Sequence, residues 1–121
     1  MYPEKIRQQI AKIASEFSIF QCTECAAEIA EFLIKNNLRG TLIKINTGSS
    51  ETPLGNIYHD GLQQNIATNG QHQGIAVVIE SEELIFDNIH HQGIPRKIWL
   101  NNLYSPIKDF GYDFQITEIE I

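Results

Sequence analysis

Phe20-Gln21-Cys22-Thr23-Glu24-Cys25-Ala26-Ala27 is the stretch from which the rest of the chain is read. It holds both cysteines of the protein and reads as the first turn of a helix. Ile29, Ala30 and Leu33 continue its apolar face at the three-to-four-residue spacing of a buried helical stripe. Thr23 and Glu24 suit an opening turn, because an acidic side chain interacts favourably with the positive end of the helix dipole. The helix is expected over residues 22–36, and Asn36-Asn37-Leu38-Arg39-Gly40 ends it with turn formers and a glycine. Before it, Pro3 stands where proline is tolerated, in a first turn. Ile6, Ile10, Ile13 and Phe17 then form one stripe, which predicts a helix from residue 3 to about 17.

Downstream the pattern changes to strands. Thr41-Leu42-Ile43-Lys44-Ile45 is rich in β-branched residues and predicts a strand. Residues 47–68 carry the weakest pattern: a polar loop, a short strand at Ile57-Tyr58 and a helical turn from Leu62 to Ile66, all able to border a cleft. Asn69-Gly70 is a turn signal. It leads into Gln71 to Ile79, a largely buried strand, and Glu83 to Asp87 returns antiparallel to it after a turn near Ser81. Asn88 to Pro95 is a loop, Ile98, Trp99 and Leu103 mark a short helix over the sheet, and a last strand runs from Gly111 to Ile121. No repeat, linker or low-complexity tract interrupts the chain. The expectation is one α+β domain over residues 1–121, its N-terminal helices packed on an antiparallel β-sheet.

The totals fit that reading and exclude others. A chain of 121 residues buries roughly two-thirds of its unfolded surface, enough to fold without disulfide or metal. A net charge of -6 and the lack of any Lys/Arg cluster exclude a nucleic-acid surface. No apolar run is long enough for a signal peptide or a membrane span, so a soluble protein or excised domain with no membrane association is expected. Cysteines three positions apart in one helical turn make a poor staple, which favours reduced thiols and a cytoplasmic setting.

A cysteine at a helix amino end is a candidate nucleophile, because the free N–H groups there favour the thiolate. Acyl transfer by a thiolate also needs a base and a group that orients the base. The hairpin offers both. His72 lies at the start of one strand and Asp87 at the end of the next, within cross-strand reach of each other about a turn near Ser81. Asn88 competes with Asp87 as the orienting group, since neighbours on a strand face opposite sides. Cys22 is favoured as nucleophile because the dipole effect fades within the first turn. Cys25 is the alternative. The adjacent pair His90-His91 has none of the spacings of a zinc site, so no metal and no cofactor are expected. Trp99 is read as core or cleft wall.

The order of Cys on a helix, His on a strand and Asp on the following strand resembles the papain-like superfamily in its broad sense. More narrowly, Phe20-x-Cys22-x-x-Cys25-Ala26, Asn69-Gly70-x-His72-x-Gly74-Ile75 and Phe86-Asp87-Asn88-x-His90-x-x-Gly93 resemble the papain-fold toxin domains of bacterial polymorphic toxin systems. The likeness spans about residues 17–103. It implies a papain-like fold and a cysteine hydrolase or acyltransferase acting on a protein substrate as protease, deamidase or transglutaminase-like enzyme. It also implies a cognate immunity protein and delivery into a target cell as part of a larger toxin. In papain itself the nucleophile follows another cysteine by three residues, which keeps Cys25 open. Two other readings use the same residues: a non-catalytic protein-binding module on this scaffold, and a Cys-x-x-Cys redox protein. The second lacks the strand that precedes that motif in thioredoxin-like folds.

Overall fold

The computed structural model describes residues 2–121. Helix α1 runs Pro3–Ala14, with the proline in its first turn, and α2 runs Cys22–Lys35. The strands are β1 Thr41–Asn46, β2 Ile57–His59, β3 Gln64–Ala67, β4 Gln71–Ile79 and β5 Glu82–Phe86. Helix α3 (Arg96–Asn101), β6 (Leu103–Tyr104), a 3₁₀ turn at Pro106–Phe110 and β7 (Gln115–Glu120) complete the chain. The architecture is α+β, N-terminal helices on antiparallel sheet, as the sequence pattern predicts.

Four strands form one antiparallel sheet in the order β5-β4-β1-β7, and three form a second in the order β3-β2-β6. Apolar residues of β4 and β5 divide between the two faces of the larger sheet by the two-residue period of a strand. Ile75, Val77, Ile79, Leu84 and Phe86 meet Ile10 and Ala14 of α1 and Cys25, Ala26, Ile29 and Leu33 of α2. The other face carries Ile43, Ile45, Ala76 and Ile85, which pack with Trp99 and with Ile57, Ile66 and Leu103 of the smaller sheet. Ile29 and Leu33 are wholly buried; each such side chain stabilises the fold by about 1.5–3 kcal/mol relative to exposure. That burial fixes α2, and so the position of Cys22 at its amino end.

The β4–β5 hairpin closes on the pair Ile79↔Glu82, with Glu80 and Ser81 as a two-residue turn in which both φ angles are positive (51° and 69°). This is the mirror-image turn whose twist matches the flanking strands. Ile75↔Phe86 is the last paired position. Continuing that register sets Asp87 opposite Gly74, one diagonal step from His72. At the far end, Arg96 of α3 donates to both Glu83 carboxylate oxygens (2.8 and 3.0 Å) and pairs with Glu118 of β7 at 2.7 Å. These contacts anchor the helix that carries Trp99.

Four elements differ from the sequence expectation, one being Leu103, which opens strand β6 instead of belonging to the short helix of Ile98 and Trp99. The segment Leu62 to Ile66 forms no helical turn: Gln64–Ala67 is a strand, paired with β2 through Ile57↔Ala67 and Tyr58↔Asn65. The weak β preference of glutamine and asparagine gives way to pairing with a neighbouring strand. Helix α1 stops at Ala14, and Phe17 packs on the core from the connection that follows. The last strand is limited to Gln115–Glu120: Gly111 closes a 3₁₀ turn in the left-handed conformation (φ 84°), and residues 112–114 lie outside the sheet.

Candidate active site

The site forms where β4 begins, β5 ends and α2 starts. The first intrahelical bond of α2 runs from the Cys25 N–H to the Gln21 carbonyl (3.0 Å), and Gln21 makes no side-chain cap. The N–H groups of the opening turn are therefore free to face a negative charge. The Gln21 side-chain oxygen instead accepts from the Ser18 N–H (2.8 Å) and lies 3.0 Å from the Ser18 hydroxyl. This fixes the connection ahead of the helix.

His72 is completely buried on the Trp99 face of the sheet. Its Nε2–H donates to Asp87 Oδ2 at 2.9 Å. Nδ1 is buried with no hydrogen-bond partner and is the ring nitrogen left for the thiol of Cys22. Cys22 and His72 are close enough for each to shift the other's titration. Burial alone would push the Cys22 thiol up. The hydrogen-bonding and charge interaction with His72, the Gln73 backbone N–H and the Thr23 hydroxyl at 4.0 Å outweigh it and hold the thiol below its ordinary value. Burial would likewise pull His72 down, yet the bond to Asp87 and the sulfur beside it raise the imidazole to about 9. Together these shifts move the two groups towards a thiolate–imidazolium pair.

Asp87 is buried and accepts five hydrogen bonds. Oδ1 takes the backbone N–H groups of Ile89 (2.9 Å) and His90 (2.6 Å) and the His90 Nδ1–H (3.1 Å). Oδ2 takes His72 and the Trp99 indole N–H, the latter at 2.8 Å. Although burial opposes ionisation, these donors hold the carboxyl well below the usual carboxylate range. Gly74 makes the arrangement possible: a Cβ there would sit 2.9 Å from Trp99 Cζ2 and from Ile85 Cγ2. Only a residue without a side chain lets the indole lie against β4.

The structure thus brings Cys22, His72 and Asp87 to one place. It puts the two alternatives elsewhere. Cys25 is wholly buried in the core between α2 and the sheet, and burial, with the charges of Asp87 and Cys22, pushes its thiol up to about 12. Asn88 follows Asp87 with its side chain directed away from His72, donating to the Ser18 carbonyl at 2.9 Å. It joins the end of β5 to the loop that precedes the cysteine helix. Sequence reasoning missed the roles of Trp99 and His90. The signals were the glycine of His72-x-Gly74 and the Asp87-x-x-His90 spacing, which lets a side chain fold back on a carboxylate.

A cleft of about 210 Å³ opens beside Cys22 and is lined by Phe20, Thr23, Ile66, Ala67, Thr68, Asn69 and Gln71. None of these carries a formal charge. A larger hollow of about 620 Å³ lies at Leu38–Thr41, Ala76–Val78 and Ile121, with no cysteine or histidine in its walls. Of the two, the smaller is the one that Cys22 lines. Among the described residues no three His, Cys, Asp or Glu side chains are arranged to hold a metal ion, and no helix is long and apolar enough to cross a membrane.

No curated protein and no solved structure matched the chain. The profile of one family, described as Papain fold toxin 2, matches residues 5–104. That span runs from α1 to the end of β6 and contains the thiol, the imidazole and the carboxylate described above. The chain belongs to the papain fold toxin 2 family.

Proposed function

We propose that the domain is a cysteine-nucleophile hydrolase or acyltransferase acting on amide bonds of a protein, and that it is the toxic part of a bacterial effector delivered into a target cell. The observation that carries this reading is the buried His72 Nε2–H···Asp87 bond of 2.9 Å, with the opposite ring nitrogen left to a thiol at a helix amino end. The Cys22 thiolate attacks the carbonyl carbon of the amide. The oxygen of the tetrahedral intermediate takes the negative charge and faces the backbone N–H of Cys22 itself. His72, protonated at Nδ1, gives that proton to the departing nitrogen as the C–N bond breaks, leaving a thioester and neutral imidazole. Water then attacks the thioester, passes a proton to His72 and releases the acid; an amine in place of water gives a cross-link. Asp87 holds the ring in the tautomer with Nε2–H and stabilises its cation.

The uncharged walls of the cleft suit a neutral segment beside the scissile group, such as a glutamine side chain or peptide backbone. A cognate immunity protein that closes this cleft is part of the same reading. Expression in bacteria of the wild type beside Cys22→Ala and His72→Ala tests it. Growth arrest by the wild type alone is the expected result, followed by mass spectrometry of host proteins for amide-to-acid conversion or new chain ends. Equal toxicity of the folded Cys22→Ala protein would end the enzyme reading.

A further inference from the structure

Donors continue past Asp87. His90 Nε2 lies 3.1 Å from Nε2 of His59, and His59 is only 4% exposed on β2. The backbone N–H of Leu62 donates to His59 Nδ1 at 3.0 Å. A backbone amide can only donate, so Nδ1 of His59 is bare and the neutral ring keeps its proton on Nε2. That proton fills the gap to His90, whose Nε2 accepts. The proton of His90 is then on Nδ1, where it reaches Asp87 Oδ1 at 3.1 Å. Each of the three gaps holds one proton, and all point the same way, from Leu62 through both rings to the carboxylate.

An added proton has no place in this row. On His59 it would set two N–H groups face to face against Leu62. On His90 it would do the same against His59. The groups around the pair are the carboxylates of Asp87 and of Asp60, adjacent on the chain, and the imidazole of His72 on β4, through which Cys22 of α2 is coupled. Burial pushes His59 below its ordinary value, and the neighbouring imidazoles of His90 and His72 add to this against the two carboxylates.

Building on the cysteine-enzyme reading above, we propose that His59 and His90 are positioning residues: a proton-ordered relay that holds Asp87 by its second oxygen and that an added proton breaks at its outer gaps, loosening the support of the carboxylate that serves His72. Cys22 reactivity is then expected to be greatest while the row carries no added proton.

Two measurements on the whole protein test this. Ring-nitrogen NMR near neutral pH is expected to find His59 as the Nε2–H tautomer and His90 as the Nδ1–H tautomer; the reverse tautomers overturn the relay. Alkylation of Cys22 by iodoacetamide between about pH 5 and pH 8, where histidines titrate, is expected to fall in acid more steeply than one proton allows. His90→Ala should slow it about tenfold or more at neutral pH, the loss expected for one hydrogen bond to a charged group. His90→Asn, whose amide can donate where Nδ1 did but does not titrate, should recover part of that loss and show a one-proton slope. His59→Asn removes the outer ring and should flatten the acid limb in the same way, which keeps the test open if His90→Ala fails to fold. A reactive Cys22 whose rate and slope ignore all three substitutions overturns the relay alone. A wild-type Cys22 unreactive at every pH overturns the enzyme reading itself.

Discussion

Replacing Asp87 by asparagine exchanges one acceptor oxygen for a donor in a pocket crowded with donors. Three of the five hydrogen bonds converge on Oδ1, two of them from the fixed backbone N–H groups of Ile89 and His90. The carboxamide therefore keeps its oxygen on that side and turns its NH₂ towards His72 and Trp99. The indole can only donate, so its N–H loses its partner while remaining buried; that costs about 1–3 kcal/mol of folding stability. His72 can rotate its proton pattern, accepting at Nε2 and carrying hydrogen on Nδ1. It then cannot take a proton from the thiol at that nitrogen. The neutral amide also stops stabilising the imidazolium, so His72 falls from about 9 and the Cys22 thiol rises towards its ordinary value. The same tautomer error in a Ser-His-Asp site lowers turnover by about 10⁴, and a loss of that order is expected here. The assay is the pH profile of iodoacetamide alkylation at Cys22, with urea unfolding as control. A folded Asp87→Asn protein with the wild-type profile would refute the reasoning.

Other expectations follow from the same geometry. At neutral pH iodoacetamide should label Cys22 and leave Cys25, which is wholly buried with its thiol near 12, untouched until the protein unfolds; peptide mapping that finds Cys25 labelled first would contradict the assignment. Gly74→Ala forces its methyl against Trp99 and Ile85, and overpacking of this kind should cost about 1–3 kcal/mol in urea titration, with a matching loss of Cys22 reactivity. Turnover should rise as pH climbs through the depressed value of Cys22, where the nucleophile forms, and decline above about 9, where His72 loses the proton it must donate. Asp87 has a depressed folded value, so its contribution to stability is complete above the unfolded value of 3.8 and disappears as pH falls through the folded one. The stability gap between wild type and Asp87→Asn, measured by urea unfolding, should accordingly be widest above pH 3.8 and narrow as pH falls below it.

Much of this was legible in the chain because its signals are local. The stripe Ile29, Ala30 and Leu33 announces a helix and its inward face, and the structure buries Ile29 and Leu33 fully and Ala30 in part. The run Gln71 to Ile79 with a reversal near Ser81 announces a hairpin, and β4 and β5 follow it closely. What the chain hid depends on partners distant in sequence. The segment Gln64–Ala67 is a strand only because β2 lies beside it. The placement of β7 along β1 rests on pairs such as Ile45↔Ile116, which no local pattern reveals. For the candidate site, residue type and order pointed to Cys22, His72 and Asp87. The second layer of Trp99, His90 and His59 stayed hidden because each of these residues sits alone among loop or core neighbours. Their meaning lies in bonds that cross 12 to 31 positions or fold back over three.

The tight turn at Glu80 and Ser81 is remote from the thiol, yet it decides which residue can serve the imidazole. Side chains on a strand obey odd–even parity, and the count between Ile79 and Glu82 sets that parity for everything up to residue 88. One residue added there, with the two-residue turn kept, would swing Asp87 to the helix side and set Phe86 opposite Gly74 and Asn88 opposite His72. Insertions or deletions by one at this distant bend are therefore chemical changes disguised as loop variation, whereas changes by two leave the parity intact.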